Sequence, residues 1–252
     1  MKIGIVGYGH VGKAMGELFQ DATVYDEPLK IGTKEELNTC DIAFVCVPTP
    51  SNEDGSCDTR IVEEVISWLT VKTIVLRSTV YVGFTREMSE KYGKSIVFQP
   101  EYYGETTAHP FANLSGRQWL SFGGEADAVD RAICAYKQVY TSNVQIYITD
   151  SDSAEFAKYM ENAFLATKVI FCNEMYDLSK KLNVDYNKAR EVWLADPRIG
   201  RSHTFVYEDN RGYGGSCLPK DVLSLIHQAD SVNTDCTLMR AVHQKNLLLK
   251  NK

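Results

Sequence analysis

The sequence predicts an α/β fold, a Rossmann-type doubly wound parallel sheet followed by an all-helical domain, and three observations predict it. Short runs rich in Val, Ile and Phe alternate with amphipathic stretches through the first half of the chain. A glycine-rich turn, Gly7-Tyr8-Gly9-His10-Val11-Gly12, joins the first such run to the first helical stretch. After Asp150 the apolar spacing is helical throughout. Strand–helix alternation implies right-handed crossovers and a parallel sheet covered on both faces.

In chain order, residues 2–6, 23–25, 42–47, 73–76 and 96–98 read as strands, being short and β-branched or aromatic. Residues 11–19, 60–69 and 84–92 carry apolar side chains at helical spacing. Residues 119–122 and 144–148 read as two later strands around a helix at 126–140. Beyond them, 153–182 reads as a long helix opened by a Ser or Asp cap, and 185–194, 222–228 and 234–250 as shorter helices. Phe164, Leu165 and Ile170 suggest that the long helix is largely buried. The expected division is a Rossmann domain at 1–150 and a helical central domain at 151–252.

With 252 residues, the chain can build a proper core without disulfide or metal staples. A net charge of −6 argues against a general nucleic-acid binder, which needs a basic surface. No apolar run approaches the roughly eighteen residues that span a bilayer. The N-terminus reads at once as a strand, which leaves no room for a signal peptide. The seven cysteines are odd in number and lack paired metal spacing, so the expectation is reduced thiols, no metal and a cytoplasmic protein.

Within the glycine turn, Gly7 permits the tight bend, Gly9 lets a pyrophosphate approach the backbone, and Gly12 allows close helix–strand packing. Tyr8, His10 and Val11 line the same turn, and the helix N-terminus supplies N–H donors for phosphate. Asp26 closes the second strand, nineteen residues beyond Gly7, where a carboxylate accepts hydrogen bonds from a ribose. Glu27 follows and no arginine is adjacent, so the expected cofactor is NAD rather than NADP. Thr49 in Val47-Pro48-Thr49-Pro50, then Thr79, then Glu101 and Glu105, fall just past the carboxyl ends of later strands, where such sheets bind ligands, and Val47 and Pro48 join Thr49 as expected cofactor contacts. Singly, each also reads as a cap or turn residue.

The most informative stretch is Arg211-Gly212-Tyr213-Gly214-Gly215-Ser216-Cys217-Leu218-Pro219-Lys220-Asp221. Pro219 suits the first turn of a helix, which leaves Cys217 just before the helix start, where a thiolate is favoured. Asp221, four residues on, can act as a general base or orient water. A buried, inert thiol is the other reading, and it holds for the remaining cysteines. Lys158 and Asn162 share one helix face at i and i+4, either as a solvated pair or as donors to a developing oxyanion. Arg198, Arg201, His203, Arg211 and Lys220 concentrate positive charge in one tract, suited to a pyrophosphate-bearing substrate or incidental to a solvated loop.

Taken together, these segments resemble the UDP-glucose/GDP-mannose dehydrogenase family. Residues 7–12, 47–50, 77–79, 100–105, 155–162, 196–200 and 214–221 match in family order, and the Gly-Gly-Ser-Cys-Leu-Pro-Lys-Asp stretch is highly specific. The resemblance implies oxidation of a nucleotide-sugar C6 alcohol, UDP-glucose foremost, to the uronic acid, through a thiohemiacetal and then a thioester on Cys217. It implies that Lys158 and Asn162 stabilise oxyanions, that Asp221 moves protons, and that Thr79 and Glu105 hold the hydrolytic water beside the cofactor. Glu101, Tyr102, Arg198, Tyr213, Gly214 and Lys220 are implied substrate contacts. Arg198 would reach a neighbouring subunit's substrate, in a homodimer formed through the helical domain.

One departure is large: family members continue into a second Rossmann-like domain, whereas this sequence ends at Lys252. Residues 203–210 also depart in the acidic Glu208 and Asp209. Two other readings stand beside the resemblance. A 3-hydroxyacid or 6-phosphogluconate-like dehydrogenase uses a similar Lys-x-x-x-Asn pair for a single oxidation and needs no cysteine. A non-catalytic NAD-binding subunit would need a partner chain.

Overall fold

The computed structural model describes residues 1–102, 114–140 and 143–251. These fall into two compact units, Met1–Pro50 with Cys57–Lys158, and Ser51–Ser56 with Tyr159–Lys252.

The first unit is built on one sheet of seven strands, β1 (Ile3–Val6), β2 (Thr23–Tyr25), β3 (Ile42–Val45), β4 (Thr73–Leu76), β5 (Ile96–Phe98), β6 (Trp119–Gly124) and β7 (Gln145–Thr149). Their spatial order is β2-β1-β3-β4-β5-β6-β7. The order reverses at β1, with β2 on one side and β3 on the other, which opens a crevice at the carboxyl ends of β1 and β3. The helices here are α1 (His10–Leu18), α2 (Lys34–Leu37), α3 (Arg60–Trp68), α4 (Phe84–Tyr92) and α5 (Ala126–Tyr136).

Side chains alternate across each strand, and the two resulting cores explain the double winding. Ile3, Ile5, Ile42, Phe44, Val75 and Val97 join α1 and α5 in one core. Val6, Ala43, Val45, Ile74, Leu76 and Phe98 join α3 and α4 in the other. Strands β1, β3 and β4 are buried at every residue, which is why each reads as an unbroken apolar run.

Two features differ from expectation. The link between β5 and β6 is antiparallel, pairing Val97 with Gly124 and Phe98 with Gly123, while the other neighbours are parallel. The short α2 was not expected; it is held by a capping box in which the Thr33 side chain and Glu36 satisfy each other's backbone N–H groups.

In the second unit, the long helix α6 (Ser151–Lys181), whose first turns belong to the first unit, is joined by α7 (Tyr186–Trp193), α8 (Leu218–Ser231) and α9 (Thr237–Lys250). Ala163, Ala166 and Ile170 of α6 pack with Val222 of α8 and Val242 and Leu249 of α9. Helix α8 begins four residues before the expected start, because Pro219, which needs no N–H partner, occupies its first turn. Phe164, expected to help bury α6, is instead 65 % exposed. Among the described residues, no helix is long and apolar enough to cross a membrane.

Candidate active site

In the first unit, the glycine turn leaves β1 and enters α1. Gly7 has φ +86°, and a Cβ there would sit 2.9 Å from the Cys46 carbonyl oxygen. A Cβ on Gly12 would lie 1.9 Å from the Gly7 carbonyl oxygen, so no side chain fits. At Gly9, by contrast, a Cβ would meet nothing within 4 Å, and no side chain caps the start of α1. The turn therefore leaves open space beside the start of α1. That arrangement fits a dinucleotide pyrophosphate. Asp26, at the end of β2, accepts from the backbone N–H of Tyr8 at 2.6 Å and of Leu29 at 2.8 Å. One oxygen is used by each N–H, and a further lone pair on each remains for ribose hydroxyls.

The other expected residues of this unit also follow strand ends. Val47 and Thr49 are buried after β3 and Pro48 is exposed between them. The Ser78 hydroxyl donates to the Val47 carbonyl at 2.6 Å, which ties the β4 end to the β3 end, and Thr79 is half-buried beside it. After β5, Glu101 and Tyr102 are both buried. Glu105 lies outside the described residues.

Residues that the sequence reading passed over surround Glu101. Its carboxylate accepts from the buried guanidiniums of Arg77 and, at 3.1 Å, Arg117. Burial, and the positive charge of Arg77, hold Arg117 down to about 10. The Tyr102 ring stacks against these groups: the Arg117 guanidinium is 5.8 Å from its centroid and the Lys158 ammonium 4.6 Å. Glu155 on α6 is fully buried as well. It accepts from the N–H of Gly83 at 2.6 Å and of Thr85 at 2.9 Å, closing the start of α4, whose own cap residue is a glycine. Burial pushes its carboxyl up to about 7 against the pull of those hydrogen bonds.

In the second unit, Cys217 is the N-cap residue of α8 and is exposed. Its carbonyl accepts from the Asp221 N–H at 2.9 Å, the first bond of the helix. The Asp221 side chain points inward and is 1 % exposed. One of its oxygens accepts from the Lys220 ammonium at 2.6 Å and the other from the Asn162 amide at 2.5 Å. So Lys220, expected against substrate, is paired with Asp221. Gly214 is exposed, whereas the Tyr213 ring is packed in the helical core, where burial raises its hydroxyl to about 12. Arg198 is at the surface, doubly bonded to Asp196 two residues earlier.

Fold and site together define the class: a dinucleotide-binding dehydrogenase whose helical unit presents a cysteine at a helix start. The model of the UDP-glucose/GDP-mannose dehydrogenase family NAD binding domain matches residues 20–110, and that of its central domain residues 152–247. YtcA of Bacillus subtilis is 31 % identical over 300 residues, spanning 98 % of this chain and 67 % of its own. The UDP-glucose 6-dehydrogenase of Pseudomonas aeruginosa is 32 % identical over 228 residues, 84 % of this chain but 49 % of that one. Among solved structures, a UDP-glucose dehydrogenase from the archaeon Pyrobaculum islandicum superposes with a TM-score of 0.85 at 26 % identity, covering 98 % of this chain and 68 % of that one. The chain belongs to the UDP-glucose/GDP-mannose dehydrogenase family, and its cofactor is NAD. It spans about half to two thirds of the length of these relatives.

Proposed function

We propose that the chain oxidises the C6 alcohol of a nucleotide sugar, UDP-glucose being the first to test, to the carboxylate through a covalent adduct on Cys217. The observation that carries this reading is the exposed thiol at the N-cap of α8, four residues from a buried carboxylate that is bonded to Asn162. The P. aeruginosa and P. islandicum relatives, named for UDP-glucose dehydrogenation, support the choice of substrate.

On this reading the first unit is the NAD-binding domain and the second the central domain. NAD, held by the Gly7–Gly12 turn and Asp26, supplies the two-electron acceptor for each of two oxidations. Cys217 adds to the C6 aldehyde to give a thiohemiacetal, whose oxidation leaves a thioester. Lys158 and Asn162 stabilise the oxyanion at each addition, Asp221 takes and returns the proton, and water cleaves the thioester to release the acid and the thiol. Thr79 and Glu105 hold that water, Glu101 is a supporting residue, and Tyr102, Tyr213, Gly214, Lys220 and Arg198 complete the substrate contacts, Arg198 from a neighbouring subunit.

An exposed face of α6 supports a homodimer. Its exposed Phe164, Phe171 and Leu178 are spaced seven residues apart, as are Met175 and Leu182, which gives an apolar seam suited to a second copy.

The test is the stoichiometry of NADH formed per UDP-glucose consumed. Two supports the thioester route, and one indicates a single-step dehydrogenase. No NADH with UDP-glucose, GDP-mannose or their N-acetyl relatives indicates a non-catalytic NAD-binding subunit. Cys217→Ser is expected to stop net acid formation while NAD binding survives; wild-type turnover in that variant would defeat the covalent mechanism.

A further inference from the structure

The segment that leads into Cys217 belongs to no helix or strand, so its backbone N–H groups need partners from elsewhere. Two buried asparagines supply them. Asn173 of α6, 2 % exposed, accepts on its side-chain oxygen from the Arg211 guanidinium at 2.6 Å and from the Gly212 N–H at 3.3 Å. Asn246 of α9, 5 % exposed, accepts from the Tyr213 N–H at 2.7 Å. The Arg211 guanidinium also bonds the Asn173 carbonyl at 3.0 Å and Asp177 at 2.8 Å, and it lies 4.8 Å from the Tyr176 ring centroid.

Three consecutive residues, Arg211, Gly212 and Tyr213, are thus gripped from two helices. The fit is close enough to dictate glycine: Gly212 has φ +73°, and a Cβ there would lie 2.4 Å from the Asn246 side-chain oxygen. On the far side, Cys217 is fixed by the first turn of α8. Only Gly214, Gly215 and Ser216 lie between the two anchors, and all three are exposed. Two glycines and a serine are a bridge that takes whatever path its ends impose.

We infer that Asn173 and Asn246 are positioning residues for the nucleophile: they fix where the chain enters the Gly-Gly-Ser bridge and so set the presentation of Cys217 and its flanking N–H groups to the sugar nucleotide. The inference rests on the proposed role of Cys217 as nucleophile. A buried amide in a helix is costly unless it bonds. Here each carboxamide oxygen accepts from the loop, while the Asn173 amide nitrogen donates to the Val169 carbonyl of its own helix at 2.8 Å.

The experiment compares Asn246→Leu, Asn246→Asp and Gly212→Ala with the wild type. The rate of Cys217 alkylation by iodoacetamide is followed by peptide mass spectrometry against exposed Cys134 in the same sample. Asn246→Leu removes the acceptor, Asn246→Asp keeps it, and Gly212→Ala displaces it from the loop side without altering the helical core. The Cys217-to-Cys134 rate ratio is expected to fall several-fold in the Leu and Ala variants and to recover in the Asp variant. The KM for UDP-glucose should rise on the order of tenfold while NAD affinity is unchanged. A ratio equal to or above wild type in Asn246→Leu and Gly212→Ala overturns the inference, as does an Asp variant no closer to wild type than the Leu variant. Should Asn246→Leu fail to fold, Gly212→Ala decides alone. If no sugar nucleotide is turned over by the wild type, the proposed function fails while the alkylation ratio still reads the clamp.

Discussion

The side-chain amide of Asn162 donates to the carboxylate of Asp221 at 2.5 Å, tying α6 to the first turn of the helix that Cys217 caps. The other carboxylate oxygen accepts from the Lys220 ammonium at 2.6 Å, so both oxygens of the buried Asp221 carry a hydrogen bond. On the proposed mechanism this carboxylate moves protons at Cys217. Asp221→Asn keeps the shape, removes the charge and turns an NH2 group toward one of the two donors, Lys220 or Asn162. The expected outcome is a fall in kcat of about a hundredfold or more with NAD affinity retained, measured by steady-state NADH formation and by cofactor titration. A variant with wild-type kcat would remove Asp221 from the chemistry.

The cofactor turn gives a sharper prediction, because its geometry leaves no alternative residue. Gly12→Ala must push its Cβ into the Gly7 carbonyl, which displaces either the turn or the start of α1. Loss of NAD affinity on the order of tenfold or more is expected, since the helix N–H groups no longer converge on the pyrophosphate. Calorimetric titration with NAD checks it; Gly9→Ala, with open space at its Cβ, is the matched control for fold.

Much of this arrangement was legible in the sequence, and the reasons are physical. Strands β1, β3 and β4 are buried on both faces, so they appear as unbroken apolar runs, and the glycine turn needs residues that nothing else can replace. Pro219 marked the start of α8 for the same kind of reason. Strand direction left no such mark: nothing in the residues of β6 distinguishes a strand that runs against β5 from one that runs along it. The clamp on Glu101 was hidden because Arg77 and Arg117 are remote in sequence and meet only through the sheet. Thr33-Lys34-Glu35-Glu36 carried a readable capping signature for α2 that periodicity alone passed over, the helix being a single turn. The apolar wealth of α6 was read as burial. Periodicity reports that a face wants covering, not which molecule covers it, and Phe164 is the residue that shows the difference.

That uncovered face leads to the third prediction. Phe164→Glu and Leu178→Glu put charges into the proposed seam between two copies of α6 without touching the packed residues Ala166 and Ile170. Each is expected to weaken self-association by about 2 kcal/mol or more, as for other central apolar anchors, and the pair to give a monomer. Sedimentation velocity across a concentration series reads this directly. A wild type that sediments as a monomer at all concentrations would refute the dimer.

The last prediction concerns pH and Glu155, the carboxyl that closes the start of α4. Burial raises it to about 7 in the folded protein, from an ordinary value near 4.5. Between those values the unfolded chain has released the proton and the folded chain has kept it, so folding binds a proton and stability falls as pH rises across the window. Above about 7 both states are ionised and the slope from this group vanishes. Glu155→Gln cannot ionise; it also loses one of the two N–H contacts, to Gly83 or Thr85, and is therefore less stable than wild type at acid pH. Because only the wild type loses stability on the way to neutrality, the gap between the two melting temperatures is expected to narrow from pH 5 to pH 8. Thermal unfolding over that range decides it. A gap that widens instead would mean that the hydrogen bonds from Gly83 and Thr85 outweigh burial and hold the carboxyl below its ordinary value.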